Sequence, residues 1–166
     1  MTDSADDKAA AATSTGADSP ADELARRCAE AMWADDVASR ELGMAIDHVS
    51  SGCSIVSMTV RPDMTNGHGT VHGGLIFALA DSAFAFACNS HNERAVAQAC
   101  DIVFAAPAST GDRLVATANE RHRFGRNGIY DVSVTRGDVV IAEFRGRSRT
   151  VGGSLVVHSI KAGHRD

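Results

Sequence analysis

The chain has 166 residues and 17.3 kDa, with 44% hydrophobic and 22% charged residues, which suits one globular domain and excludes a wholly disordered chain. Its net charge of −5 is uneven: residues 1–30 hold seven acids and three bases, whereas 121–149 holds seven arginines against three acids. With one Trp and one Tyr, stacking platforms are too few for a generic nucleic-acid binder. Residues 1–18 contain no apolar side chain larger than Ala after Met1 and read as a disordered tail. Ser19-Pro20-Ala21-Asp22 then reads as a helix start, with a capping hydroxyl, Pro at the first helical position and a carboxylate three residues on. The helix is predicted over about 22–34, with Leu24, Cys28, Ala31 and Met32 on one face.

From Gly43 the period changes to two. Runs at 44–49 and 55–60, parted by Ser50-Ser51-Gly52, are strand-like. Further strand-like runs span 95–105, 113–123, 128–135 and 139–150, joined by short turns, which makes roughly six strands in an antiparallel sheet. Between them, 73–90 (GGLIFALADSAFAFACNS) is too long for a buried strand and rich in Ala, Leu and Phe, so it reads as a helix. Apolar residues surround it on all sides, and a helix of that kind is buried or spans a membrane. The membrane reading fails, because about half the run is Gly, Ala or Ser and Asp81 sits at its centre. A long central helix wrapped by a sheet is the predicted α+β architecture.

Cys28, Cys53, Cys88 and Cys100 form no C-x-x-C pair or tight framework and read as reduced thiols. The N-terminus shows neither an apolar signal core nor an Arg-rich transit pattern, so a cytoplasmic protein is expected. The domain is predicted over 19–155, with tails at 1–18 and 156–166.

Asp81 is the residue that asks for chemistry. A carboxylate within a buried helix is satisfied by a hydroxyl or an Arg, or faces a small solvent channel, or serves as a general base or nucleophile. Ahead of it, Asn66-Gly67-His68-Gly69-Thr70-Val71-His72-Gly73-Gly74 runs straight into the helix. Unpaired N–H groups at a helix start favour developing negative charge, and Gly73 and Gly74 leave room for a carbonyl to approach. That is a candidate oxyanion hole; the plainer alternative is that Asn66-Gly67 is merely a turn and Gly73-Gly74 a tight packing point. His68 and His72 lack a carboxylate or Cys to complete a metal set, and the Lys and Ser/Thr of a phosphate loop are missing.

The run NGHGTVHGGLIFALADSAFAFACNS resembles the signature of hotdog-fold thioesterases of the phenylacetate-degradation (PaaI-like) type. The similarity continues through Ala97-Gln98-Ala99-Cys100-Asp101-Ile102 and the FRGRS run at 144–148, and covers about residues 25–153. The resemblance implies a hotdog fold and hydrolysis of acyl-CoA thioesters, including ring-hydroxylated phenylacetyl-CoA, with no cofactor beyond the CoA of the substrate. By motif position it implies that Asp81 is the catalytic carboxylate, that the Gly73 N–H polarises the thioester carbonyl, and that Asn66 and His72 flank it. Some aryl-CoA relatives carry a hydroxyl one turn after the carboxylate. Here that position is Ala85, and Ser82 is the nearest hydroxyl. Gly74, Ser82, Arg145 and Arg147 are the expected substrate contacts, the arginines for the CoA phosphates because Arg145, Arg147 and Arg149 alternate on one strand face.

Gly73 and Asp81 lie eight residues apart, about 12 Å along a helix at 1.5 Å per residue. One carbonyl cannot reach both. A two-fold partner with an antiparallel helix would bring Gly73 of one chain near Asp81 of the other. The resemblance implies the same homodimer with two composite sites, paired into a homotetramer, and no nucleic-acid or membrane partner. Two other classes remain open: a non-catalytic acyl-CoA-binding or sensing hotdog protein, which would not need Asp81, and a dehydratase, for which His72 is the sole nearby candidate.

Overall fold

The computed structural model describes residues 19–157. The first helix, α1 (Pro20–Asp35), begins as anticipated. Asp22 N–H donates to Ser19 Oγ at 3.2 Å, and the Asp22 carboxylate accepts from the Ser19 N–H and hydroxyl in return. Its fully buried seam is Ala25, Cys28 and Ala29, while Leu24, Ala31 and Met32 are half-buried. The face is thus rotated from the expected one, because small residues let the helix lie close on its neighbours. A second short helix, α2 (Val37–Glu41), was not anticipated; Asp36 caps it by accepting from Ser39 N–H at 3.0 Å.

Six strands follow in one antiparallel sheet: β1 (Met44–Ser50), β2 (Cys53–Thr59), β3 (Ala95–Phe104), β4 (Arg113–Phe124), β5 (Asn127–Arg136) and β6 (Val139–Thr150). Their spatial order is β1-β2-β4-β5-β6-β3. The chain therefore leaves β2, forms the central helix α3 (Gly73–Asn89), and crosses to the far edge to begin β3 beside β6. This is the hotdog arrangement, a sheet curled around one helix.

The core lies between α3 and the inner face of the sheet. Val56, Leu114, Ala116, Val132 and Val134 point inward at alternating positions, and Leu79, Ala80, Ala83 and Ala87 meet them from the helix. Phe84 anchors the middle, its ring centroid 5.5 Å from that of Tyr130 and 5.9 Å from that of Phe144. Truncating such a ring to Ala costs roughly 3–5 kcal/mol. Gly146 on β6 is required beneath it, because a Cβ there would stand 2.6 Å from the Phe84 ring.

The strand face read in the sequence is found in place. Arg145, Arg147 and Arg149 are exposed on the outer face, while Phe144, Gly146 and Ser148 are buried. The central helix departs in one respect: it is not buried all round. Gly74, Ala78, Asp81 and Ala85 form a stripe that stays partly open, so the small residues that spoke against a membrane span also keep this face shallow. The expected tails lie outside the described residues, apart from Val156 and Val157 at the start of the second.

Candidate active site

The segment before α3 is a self-supporting turn. Asn66 N–H donates to Thr70 O at 2.8 Å, and Gly69 N–H donates back to Asn66 O at 3.0 Å. The Asn66 side chain completes it: Oδ1 accepts from His68 N–H at 2.9 Å, and Nδ2 donates to Thr70 Oγ1 at 3.2 Å. A bridge between Thr65 and Val71 closes the turn, while Val71 N–H to Ala108 O and His72 N–H to Met64 O pin its exit. Asn66 thus shapes the loop, with one amide N–H left over.

His72 is the N-cap of α3, and its ring nitrogen Nδ1 accepts from Gly74 N–H at 3.0 Å. With Nδ1 accepting, Nε2 is the nitrogen of the exposed His72 ring left to donate. Leu75 N–H is taken by His72 O at 2.9 Å. The Gly73 N–H, by contrast, has no acceptor among the described residues. Of the orphan donors at the helix start, this one is left for a ligand.

The glycine pair is explained by the chain itself. A Cβ on Gly73 would come within 3.1 Å of the Phe104 ring, and one on Gly74 within 3.2 Å of His72 Nδ1. At both positions a Cβ would crowd a neighbouring side chain, which would have to give by a few tenths of an ångström. Gly73 and Phe104 share an apolar cavity of about 320 Å³ with Thr70, Val71, Ile76 and the Ala105–Ala108 turn.

Asp81 is half-buried on the partly open stripe and makes no hydrogen bond or ion pair among the described residues. Burial alone raises its pKa above the ordinary carboxylate range. Its charge is felt by two thiols. Cys88, two turns along α3, is pushed up to about 12, by burial first and then by Asp81. Cys100 on β3 is raised by burial and then by Asp81 as well. The carboxylate is thus near enough to Cys88 on its own helix and to Cys100 on β3, an edge strand of the sheet, to act on both.

Ser82 points elsewhere. Its hydroxyl lies 3.0 Å from Ser39 Oγ in α2, a tie between helices that sequence reasoning could not find without α2. The structure thus gathers Asn66, His72, Gly73 and Gly74 at the start of α3, and sets Asp81 apart from them on the same helix.

The outer-face arginines are largely paired. Arg145 grips Asp131 through two bonds at 2.6 and 2.9 Å, and Arg147 meets Asp101 at 2.6 Å. Their groove, about 470 Å³, holds the carboxylates Asp101, Asp131 and Glu143 against these two guanidinium groups. Arg94 and Arg149 have no side-chain partner among the described residues, and Arg126 donates only to Thr150 O. Backbone pairing draws these three to one end of the sheet: Thr150 N–H bonds Arg126 O, and Val151 N–H bonds Arg94 O. Arg94 and Arg126 line a small cavity there with Thr150, Gly152 and Gly153, beside the ion pair of Glu93 and Arg123. Sequence reading passed over this group because Arg94 and Arg126 lie at strand ends, outside the alternating pattern.

A larger cavity of about 480 Å³ between α1 and β1, lined by Trp33, Met44 and Ile46, contains none of the predicted site residues. Among the described residues, no group of three or more His, Cys, Asp or Glu could hold a metal ion, and no helix is long and apolar enough to cross a membrane.

Comparison with known proteins gives a consistent result. The profile of the thioesterase superfamily matches residues 68–143. The acyl-coenzyme A thioesterase PaaI of Escherichia coli K12 is 44% identical over 128 residues, 76% of this chain and 91% of that one. A solved structure of E. coli PaaI, from the phenylacetic acid degradation operon, superposes with a TM-score of 0.79 at 42% identity, covering 80% of this chain and 97% of the other. The TT0310 protein of Thermus thermophilus superposes with a TM-score of 0.67 at 37% identity, covering 68% and 96%.

Proposed function

The chain belongs to the PaaI-like hotdog-fold acyl-CoA thioesterases, and from that premise we propose that it hydrolyses phenylacetyl-CoA-like thioesters, ring-hydroxylated ones included. The observation that carries the mechanism is the pair of unpartnered groups on α3: the Gly73 N–H at its start and the half-buried Asp81 carboxylate two turns on. The Gly73 N–H binds the thioester oxygen, where negative charge develops as the carbonyl carbon becomes tetrahedral. Asp81 takes a proton from water as the water oxygen attacks that carbon. Collapse breaks the C–S bond, and the CoA thiolate leaves with the proton. The same position also permits direct attack by Asp81, giving an anhydride that water then opens.

His72 and Asn66 act through the backbone, the first by occupying the Gly74 N–H so that a single donor faces substrate, the second by shaping the turn. Gly74 contributes by close packing, and Ser82 by tying α3 to α2. For the CoA phosphates, the unneutralised charge of Arg94, Arg126 and Arg149 is the better match. Arg145 and Arg147 join only by exchanging Asp131 and Asp101 for phosphate.

The site is completed by a second copy. β3 is an edge strand with one side unpaired, and Val96 and Val103 on it are 48% and 68% exposed. Cys100 on β3 feels the Asp81 charge, and the partly open stripe of Gly74, Ala78, Asp81 and Ala85 lets another helix approach closely. A two-fold partner along β3 then supplies its Asp81 to Gly73 of the first chain, in a homodimer that pairs into a homotetramer. The enzyme needs no cofactor beyond the CoA of its substrate, and works in the cytoplasm.

The test is free-thiol release from a panel of aryl, short and long acyl-CoAs by wild type and Asp81→Asn. A loss of at least about 10²-fold in kcat by a folded variant is expected. A folded Asp81→Asn protein with full turnover removes the assigned role, and a wild type that binds acyl-CoA without releasing thiol is a sensor.

A further inference from the structure

Phe104 ends β3, and its side chain does what the last residue of an edge strand seldom does: it turns back onto the start of the central helix. Three of its ring carbons, Cζ, Cε1 and Cε2, stand 3.1, 3.4 and 3.5 Å from the point where a Cβ on Gly73 would sit. Phe104 as a whole is nevertheless 50% exposed in the single chain. Its backbone has no freedom to drift, because Phe104 pairs with Ala142 on β6 and the next residue, Ala105, donates to Ile141 O at 2.8 Å. With its backbone held by β6, the ring lies beside the one amide at the helix start that lacks an acceptor among the described residues. Beyond it lies the apolar cavity of about 320 Å³.

We propose that Phe104 determines specificity, its ring forming the wall that the acyl α-carbon must pass when the thioester oxygen reaches Gly73 N–H. This rests on the thioesterase reading and on the role given to Gly73 there. The physical consequence follows from the closeness of the ring to the amide. A carbonyl held at Gly73 N–H has its α-carbon one bond away, beside the ring, and a CH₂ there is slim enough to slip past toward the cavity. A second substituent on the α-carbon would overlap the ring or push it off the helix. The enzyme therefore favours acyl groups with a methylene next to the carbonyl and disfavours those branched at that carbon. The ring face also offers an apolar surface to whatever the methylene carries.

The decisive pair of substrates are isomers, straight-chain butyryl-CoA and α-branched isobutyryl-CoA, assayed by thiol release with the full-length chain. Wild type should prefer the unbranched substrate. Phe104→Ala should raise the isobutyryl-to-butyryl ratio of kcat/KM by about tenfold, the scale of one methyl group in a tight pocket, with Phe104→Leu between the two. A ratio within about twofold of wild type in both variants overturns the proposal. Size-exclusion chromatography and a thermal melt accompany each variant. If Phe104→Ala fails to assemble or fold, Phe104→Leu carries the comparison, since it keeps an apolar side chain at the strand end. Loss of turnover on both substrates in equal measure, with assembly lost in both variants, overturns the proposal in favour of an interface role. A wild type that hydrolyses neither these nor any aryl acyl-CoA overturns the thioesterase reading itself, an outcome distinct from an active enzyme with an unchanged ratio.

Discussion

Asp81 carries a cost that its chemistry explains. Burial raises its pKa with no hydrogen bond or cation to offset it, so ionising it is harder in the folded chain than in the unfolded one. An acid whose folded pKa is raised weakens the fold as pH climbs from the unfolded value through the folded one, and the deficit persists above. Asp81→Asn should therefore melt a few degrees higher than wild type at neutral pH. The gap should shrink as pH falls toward about 4, where the wild-type carboxyl takes up its proton in both states. Thermal melts across that range check the sign, and an equal melting temperature at pH 7 would mean that the carboxylate is better solvated than its position implies. The same raised pKa places the acid limb of the activity profile above the ordinary carboxylate range, since both base and nucleophile must be ionised.

Among the elements, the start of α3 is built to leave one donor free. His72 takes the Gly74 N–H and its carbonyl takes the Leu75 N–H, so what remains is the Gly73 amide. Replacing His72 by Ala removes the side-chain cap, at a cost of roughly 1 kcal/mol. His72→Asn keeps an acceptor within reach of the first turn and should recover most of that stability in denaturant melts. If the cap positions the amide, kcat should follow stability across the two variants. An alanine variant unchanged in both readouts would strip His72 of this role. The short α2 acts on the same helix: through Ser39 it holds Ser82 away from the open stripe and leaves Asp81 the polar group there.

Across the molecule, eight residues of helix separate the carboxylate from the free amide, about 12 Å. A site shared between two chains resolves that distance, and complementation tests it. Let one chain carry Asp81→Ala and the other Asn66→Ala, each nearly inactive alone. In a mixed dimer isolated by two affinity tags, one site would hold both lesions and the other none. About half of wild-type activity per dimer should return. If both residues served a site from one chain, every site would keep one lesion and no activity would reappear. A verified mixed dimer as inactive as its parents would end the shared-site arrangement.

Periodicity, capping and turn chemistry are local, so the elements and most of their inner faces could be read along the chain. Ser19 and Asp22 announced α1, alternation announced six strands, and the motif around Asp81 placed the chain in a family. What depended on distant partners stayed hidden. That β3 crosses to the far edge beside β6, that Asp131 and Asp101 bind Arg145 and Arg147, and that α2 holds Ser82 are all contacts between residues far apart in the chain. The glycines show the division most plainly. Close packing at Gly73-Gly74 could be weighed from the sequence, but the partner could not: Phe104, thirty-one positions on, lies against Gly73 only after the sheet has curled around the helix. Local rules act through the covalent chain and can be read along it, whereas packing acts through space, and only the folded sheet decides which side chains share a boundary.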